Sequence, residues 1–122
     1  MGYRNILELS LEQVEERRAL LAGPGIQLEG VAQERLTSHR AVVAIRPDDI
    51  LVSTAQTSSN QLNPRNVIVG QAEIVEYCVR DYLVDISTEA GFFLHARTAR
   101  RIAPGERVRL EVPTERVLAF SP

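Results

Sequence analysis

Leu7, Leu9 and Leu11 alternate with Glu8, Ser10 and Glu12 near the start of the chain, the period of a half-buried strand. A helix competes for the same residues. Ser10 and Gln13 form a capping-box pattern, and Leu11, Val14, Leu20 and Leu21 line one face of a helix ending before Gly23. On the strand reading, Glu15-Glu16-Arg17-Arg18 is a polar hairpin turn and Ala19 to Ala22 the return strand. Gly23-Pro24-Gly25 then breaks the chain, and Ile26 and Leu28 alternate with Gln27 and Glu29 in a short strand. Gly30 to Arg40 is polar and reads as loop. Ala41 to Ile45 is a buried-strand pattern that must stop or turn at Pro47, which cannot donate to a ladder. Asp48 and Asp49 suit a turn because their carboxylates can accept from nearby backbone N–H groups, and Ile50 to Val52 leads out of it. Ser53 to Arg65 is polar and reads as a long loop.

The pattern then starts again. Asn66-Val67-Ile68-Val69-Gly70-Gln71-Ala72-Glu73-Ile74-Val75-Glu76 overlies Asn5 to Glu15 at an offset of 61 positions, with Asn, Glu, Val and Glu coinciding. Tyr82-Leu83-Val84 answers Ala19-Leu20-Leu21, Gly91 to Leu94 answers Gly25 to Leu28, and Val112-Pro113-Thr114-Glu115 answers the Pro47 turn. Two related halves follow, 1–61 and 62–122, in one domain spanning 1–122. Val67 to Val75 is rich in β-branched residues and poor for a helix, so the repeat selects the strand at Leu7 to Leu11 as well. The second half is expected to run through strands at Val67–Val79, Tyr82–Ser87, Phe92–Ala96, Val108–Val112 and Val117–Phe120. A hairpin near Arg80-Asp81, a turn at Ala90-Gly91 and a loop or short helix over Thr98–Glu106 join them. The expected fold is all-β: an OB-like β-barrel domain built from two related halves of short antiparallel strands, with barrel closure hiding the edges.

Composition narrows the function classes. At 122 residues the chain is long enough for a real core. All 14 basic residues are arginine and the net charge is −2, which argues against a general nucleic-acid binder. No run approaches the roughly 18 apolar residues of a membrane span, and no signal peptide is visible at Met1. A single cysteine, Cys78, rules out an internal disulfide and reads as a small buried hydrophobe.

Several motifs together resemble the TOBE domain, the C-terminal regulatory extension of ABC-importer ATP-binding subunits. Ala41 to Val52, AVVAIRPDDILV, resembles that family's IRPEDI signature. Gly2-Tyr3-Arg4-Asn5 resembles the G-x-x-N that opens the extension, and Asn66 to Glu76 its N-x-x-x-G-x-V strand. Ile102 to Val108 resembles L-x-P-G-D-x-V, and Val112 to Leu118 the PPE-x-V tail. Arg65-Asn66 departs from the commoner proline-glycine step. The resemblance implies an OB-type barrel that pairs across an ATPase dimer and senses substrate or an effector. It implies an ABC ATPase domain and a membrane permease as partners through a full-length subunit, a homodimer, and a cytoplasmic location peripheral to the inner membrane. In the molybdate branch such domains bind oxyanions.

The chain carries no G-x-x-x-x-G-K-[ST] loop to cradle a nucleotide triphosphate, so no enzymatic activity is expected of it alone. His39, His95 and Cys78 show no metal-ligand spacing, and no metal or cofactor is expected. Two polar stretches suit an anion. Thr57-Ser58-Ser59-Asn60 resembles the S-A-R-N step of molybdate-binding modules without its arginine, and Leu94 to Arg101 resembles their A-x-I-T-x-x-S segment. Arg97, Thr98 and Arg100, faced by Ser58, Ser59 and Asn60, would supply forked and hydroxyl donors with positive charge. Within a strand Arg97 and Thr98 face opposite sides, so convergence requires the strand to end near Ala96. Three functions follow in order: a regulatory and dimerisation domain of a transporter ATPase subunit, a stand-alone small-ligand or oxyanion-binding protein of the same fold, and an OB-type nucleic-acid binder. The third rests only on Phe92, Phe93 and the Arg97–Arg101 cluster.

Overall fold

A computed structural model describes residues 5–54 and 66–122. Gly2 to Arg4 of the opening motif, and Ser58, Ser59 and Asn60, lie outside the described residues. The described chain forms ten strands: β1 (Asn5–Glu15), β2 (Arg18–Gly23), β3 (Ile26–Ala32), β4 (Arg40–Ile45), β5 (Leu51–Thr54), β6 (Val67–Cys78), β7 (Asp81–Thr88), β8 (Phe93–Thr98), β9 (Arg107–Glu111) and β10 (Leu118–Phe120). Two 3₁₀ turns, Pro47–Asp49 and Thr114–Arg116, punctuate the strands. The all-β expectation holds, and Leu11 to Leu21 is a hairpin rather than a helix. Leu7 and Leu9 point into the core while Ile6 and Glu8 face outward.

The repeat extends to irregularities. β1 bulges between Leu11 and Gln13 against β2, and β6 bulges between Ala72 and Ile74 against β7, which are equivalent positions. Both hairpins close on two-residue loops whose first residue is left-handed, Glu16 at φ 58° and Val79 at φ 56°. The N–H groups of Leu11 and Ala72 both donate to the loop that precedes the fourth strand of their half, at His39 and Glu106.

Sequence reading placed several boundaries too tightly. β3 continues to Ala32 through residues expected as loop, and β8 runs to Thr98 rather than ending at Ala96. Both extensions are driven by pairing, β3 against β2 and β8 against β7. Asp48 and Asp49 make no side-chain cap on their turn. Their carboxylates reach Arg97 and Arg116 instead. Cys78 is half-buried at a hairpin end, not in the core.

The two halves exchange their last strands. β1, β2, β3, β10 and β4 close a barrel, so the final strand of the second half completes the first. β5, the final strand of the first half, joins the second sheet in the order β5-β9-β6-β7-β8. One continuous core, including Leu9, Leu21, Leu28 and Val43 from the first half and Ile86, Leu94, Val108 and Leu110 from the second, spans both sheets.

Candidate functional site

Asn5 and Asn66, each 3% exposed, are the most deeply buried polar residues among those described. Asn66 Oδ1 accepts from the Glu29 N–H at 2.7 Å, and its Nδ2 donates to the carbonyls of Glu29 and Val112, both at 2.9 Å. Asn5 does the same on the other side. Its Oδ1 accepts from the His95 N–H at 2.6 Å, and its Nδ2 donates to His95 O at 2.9 Å and Ile45 O at 3.2 Å. Each amide imitates a strand neighbour, pairing with both backbone groups of one residue on the other half's third strand. The reciprocity aligns β3 with β8, placing Glu29 with His95, Gly30 with Ala96 and Val31 with Arg97.

The sequence-predicted anion residues sit just beyond this clamp. Arg97 is on β8, with its side chain 40% exposed. Its Nη1 lies 3.1 Å from Asp81 Oδ1 on β7, and its Nε lies 3.1 Å from Asp48 Oδ1 in the first 3₁₀ turn. Asp81 foremost holds the Arg97 guanidinium above the ordinary arginine pKa; burial opposes this and Asp48 adds to it. Because β8 includes Arg97 and Thr98, their side chains leave opposite faces of the strand. The condition for Arg97, Thr98 and Arg100 to converge is therefore not met within one chain. Thr98 Oγ1 instead accepts the Arg100 N–H at 3.0 Å, turning the chain after the strand. Nearby, His95 Nδ1 lies 2.6 Å from Asp85 Oδ1, both side chains about one-third exposed. The acidic partners of Arg97 were missed in the sequence, since Asp48 read as a turn-former and Asp81 as part of a hairpin. The Asn clamp left one signal, an asparagine repeated at the start of both halves.

The first half holds the counterpart of this place as an open cleft of about 560 Å³, lined by Glu15, Glu16, Arg17, Arg18, Val31, Thr114 and Glu115. Val31 stands where Arg97 does and Glu115 where Asp48 does. Arg18 turns to Glu29, with Nε 3.2 Å from its Oε2. No group of three or more His, Cys, Asp and Glu that could hold a metal ion occurs among the described residues.

The sequence model of the TOBE domain matches residues 43–120, from the fourth strand through the last. The chain belongs to the TOBE domain family. The TOBE-domain chain also resembles a solved structure over its whole length. That structure is the cytoplasmic molybdate-binding protein ModG with molybdate bound, at a TM-score of 0.82 and 16% identity, covering 100% of this chain and 99% of that one. No curated protein matches this chain in sequence. The likeness to ModG is one of fold.

Proposed function

We propose that this TOBE-domain chain is a binding protein for a small tetrahedral oxyanion of the molybdate class. The observation that carries the reading is the fold match to a molybdate-binding protein over 100% of this chain and 99% of that one. The TOBE match supports it. Arg97 is the central ligand. Its planar fork offers both geometry and charge to an oxyanion, and the two carboxylates now on it keep it oriented until an anion competes for its donors. Ser58, Ser59 and Asn60 supply uncharged donors. Thr98, on the other face of β8, and Arg100, in the turn just after it, contribute from the same or a partner chain, and a homo-oligomer brings the donors together. Location in the cytoplasm belongs to this reading, as stated for ModG.

A second reading keeps the chain as the regulatory extension of an ABC-importer ATP-binding subunit, with an ATPase domain and permease as partners. The Arg46-Pro47-Asp48-Asp49-Ile50 turn, so close to the IRPEDI signature, favours it. Titration calorimetry with molybdate, tungstate, sulfate and phosphate separates the two. Heat with molybdate and tungstate, lost in Arg97→Ala, is expected. No heat with any of the four anions refutes the oxyanion reading and leaves the regulatory one.

A further inference from the structure

The two halves differ in one architectural respect. In the first half β10 lies parallel to β3 and closes the barrel, with the Val31 N–H donating to Val117 O and the Gln33 N–H to Ala119 O, both at 2.8 Å. In the second half the equivalent strands, β5 and β8, are the two edges of the sheet and form no ladder. The residue aligned with the point of closest approach explains this. A Cβ on Gly30 would stand 2.5 Å from Val117 O and 2.7 Å from Val117 Cγ1, so only glycine lets that strand come in. Its counterpart is Ala96, fully buried. By this alignment the Ala96 methyl corresponds to the Cβ that Gly30 lacks, and Ile50 to Val117. β5 therefore stands off from β8.

Across this open seam runs the ion pair of Arg97 on β8 with Asp48, in the turn that delivers β5. The other partner of Arg97, Asp81, belongs to β7 of the same sheet and does not cross the seam. We infer that the β5–β8 seam is a latch: Ala96 prevents it from zipping into a ladder, and Arg97 fastens it through Asp48. Whatever draws the Arg97 guanidinium away from Asp48 loosens β5, an edge strand of four residues whose ladder among the described residues is with β9. An oxyanion at Arg97 does this by competing with the Asp48 carboxylate for the same donors. The inference rests on the oxyanion reading only for the nature of the competitor.

Hydrogen exchange of the whole chain, read residue by residue against β7 as internal reference, tests it. Without ligand, Asp48→Ala speeds exchange of the Leu51–Thr54 amides by about twofold or more, the scale of an exposed ion pair, whereas Asp81→Ala leaves them unchanged. Ala96→Gly lets the ladder form and slows exchange at Arg97 and Ala99 on the order of tenfold, the scale of one to two new hydrogen bonds. Unchanged β5 exchange in Asp48→Ala, or unchanged Arg97 and Ala99 exchange in Ala96→Gly, overturns the latch. Adding molybdate to the unsubstituted chain reproduces the Asp48→Ala pattern at β5. Calorimetric heat with no change at β5 overturns the coupling. Absence of heat refutes the oxyanion reading alone, because the ligand-free variants decide the latch by themselves.

Discussion

Replacing Asn66 by alanine removes three hydrogen bonds at once, and their geometry sets the size of the effect. Glu29 turns both its N–H and its C=O toward Asn66, at 2.7 and 2.9 Å, so that edge of β3 has the amide as its partner there. The third bond, to Val112 O, ties the end of β9 to the start of β6. Truncation leaves one donor and two acceptors without the amide. A buried polar group left unpaired costs roughly 1–3 kcal/mol, but Glu29 is only half-buried and water can reach part of it. About 3 kcal/mol in total is expected, a large share of the ~5–15 kcal/mol that holds a domain together. For a domain of this size about 3 kcal/mol lowers the melting temperature by roughly 10 °C. Far-UV circular dichroism on heating, with urea titration for the midpoint, measures it. Asn66→Asp does not rescue the loss, because it turns a second oxygen toward the carbonyls of Glu29 and Val112. A melting temperature within about 2 °C of the unsubstituted chain, or full rescue by aspartate, would refute the clamp as the joint between the halves.

Asn5→Ala, by the same geometry on His95, gives a loss of similar size on the order of 3 kcal/mol in chemical denaturation. Gly30→Ala drives a methyl into Val117 and costs roughly 1–3 kcal/mol, with faster amide exchange at Val31 and Gln33 as the local signature. Phe93 and Leu94 are neighbours on β8 but 66% and 0% exposed, so Phe93→Ser changes urea stability by less than about 0.5 kcal/mol while Leu94→Ala costs about 2–5 kcal/mol. Arg97→Lys weakens oxyanion binding in calorimetry nearly as much as Arg97→Ala, because an ammonium cannot reproduce the fork that meets two oxygens at once.

Strand alternation and the repeat made most of the architecture legible. The offset between Asn5 and Asn66 settled the helix-or-strand question at Leu11, and the same pair proved to be the joint between the halves. The offset did not stay constant. It grows from 61 at the asparagines to 66 at Glu29 and His95, because the second hairpin is longer, and one more residue enters before the turns. Thus Pro113 stands where Arg46 does, as the residue before its 3₁₀ turn, and not where Pro47 does. The exchange of β5 and β10 was not legible, since a strand that leaves a proline turn can pair with either half on local pattern alone. The fate of Arg97 was hidden for a related reason. Asp48 precedes it by 49 positions, and only the crossing of β5 brings the two together. The pairing of glycine at 30 with alanine at 96 follows only from the asparagine bonds to Glu29 and His95, which join residues far apart in the chain.

Exchange of the last strands also governs how the chain can be made. Leu118 to Phe120 pair with Val42 to Ala44 and with Val31 and Ala32, so the first barrel takes its closing strand from the last strand of the second half. During synthesis at about 5–20 residues per second, the N-terminal barrel waits several seconds with an open gap between β3 and β4. High contact order of this kind makes folding slow, because distant ends must meet before the enclosed segment is rewarded. During that interval the buried faces of β3 and β4 are exposed to whatever strand arrives first. A second nascent copy carries the same Leu118–Phe120 segment and can fill the gap in trans. Chain termination before Val117 would remove the stave on which the other half depends, so the cost of losing β10 falls on the half that was translated before it.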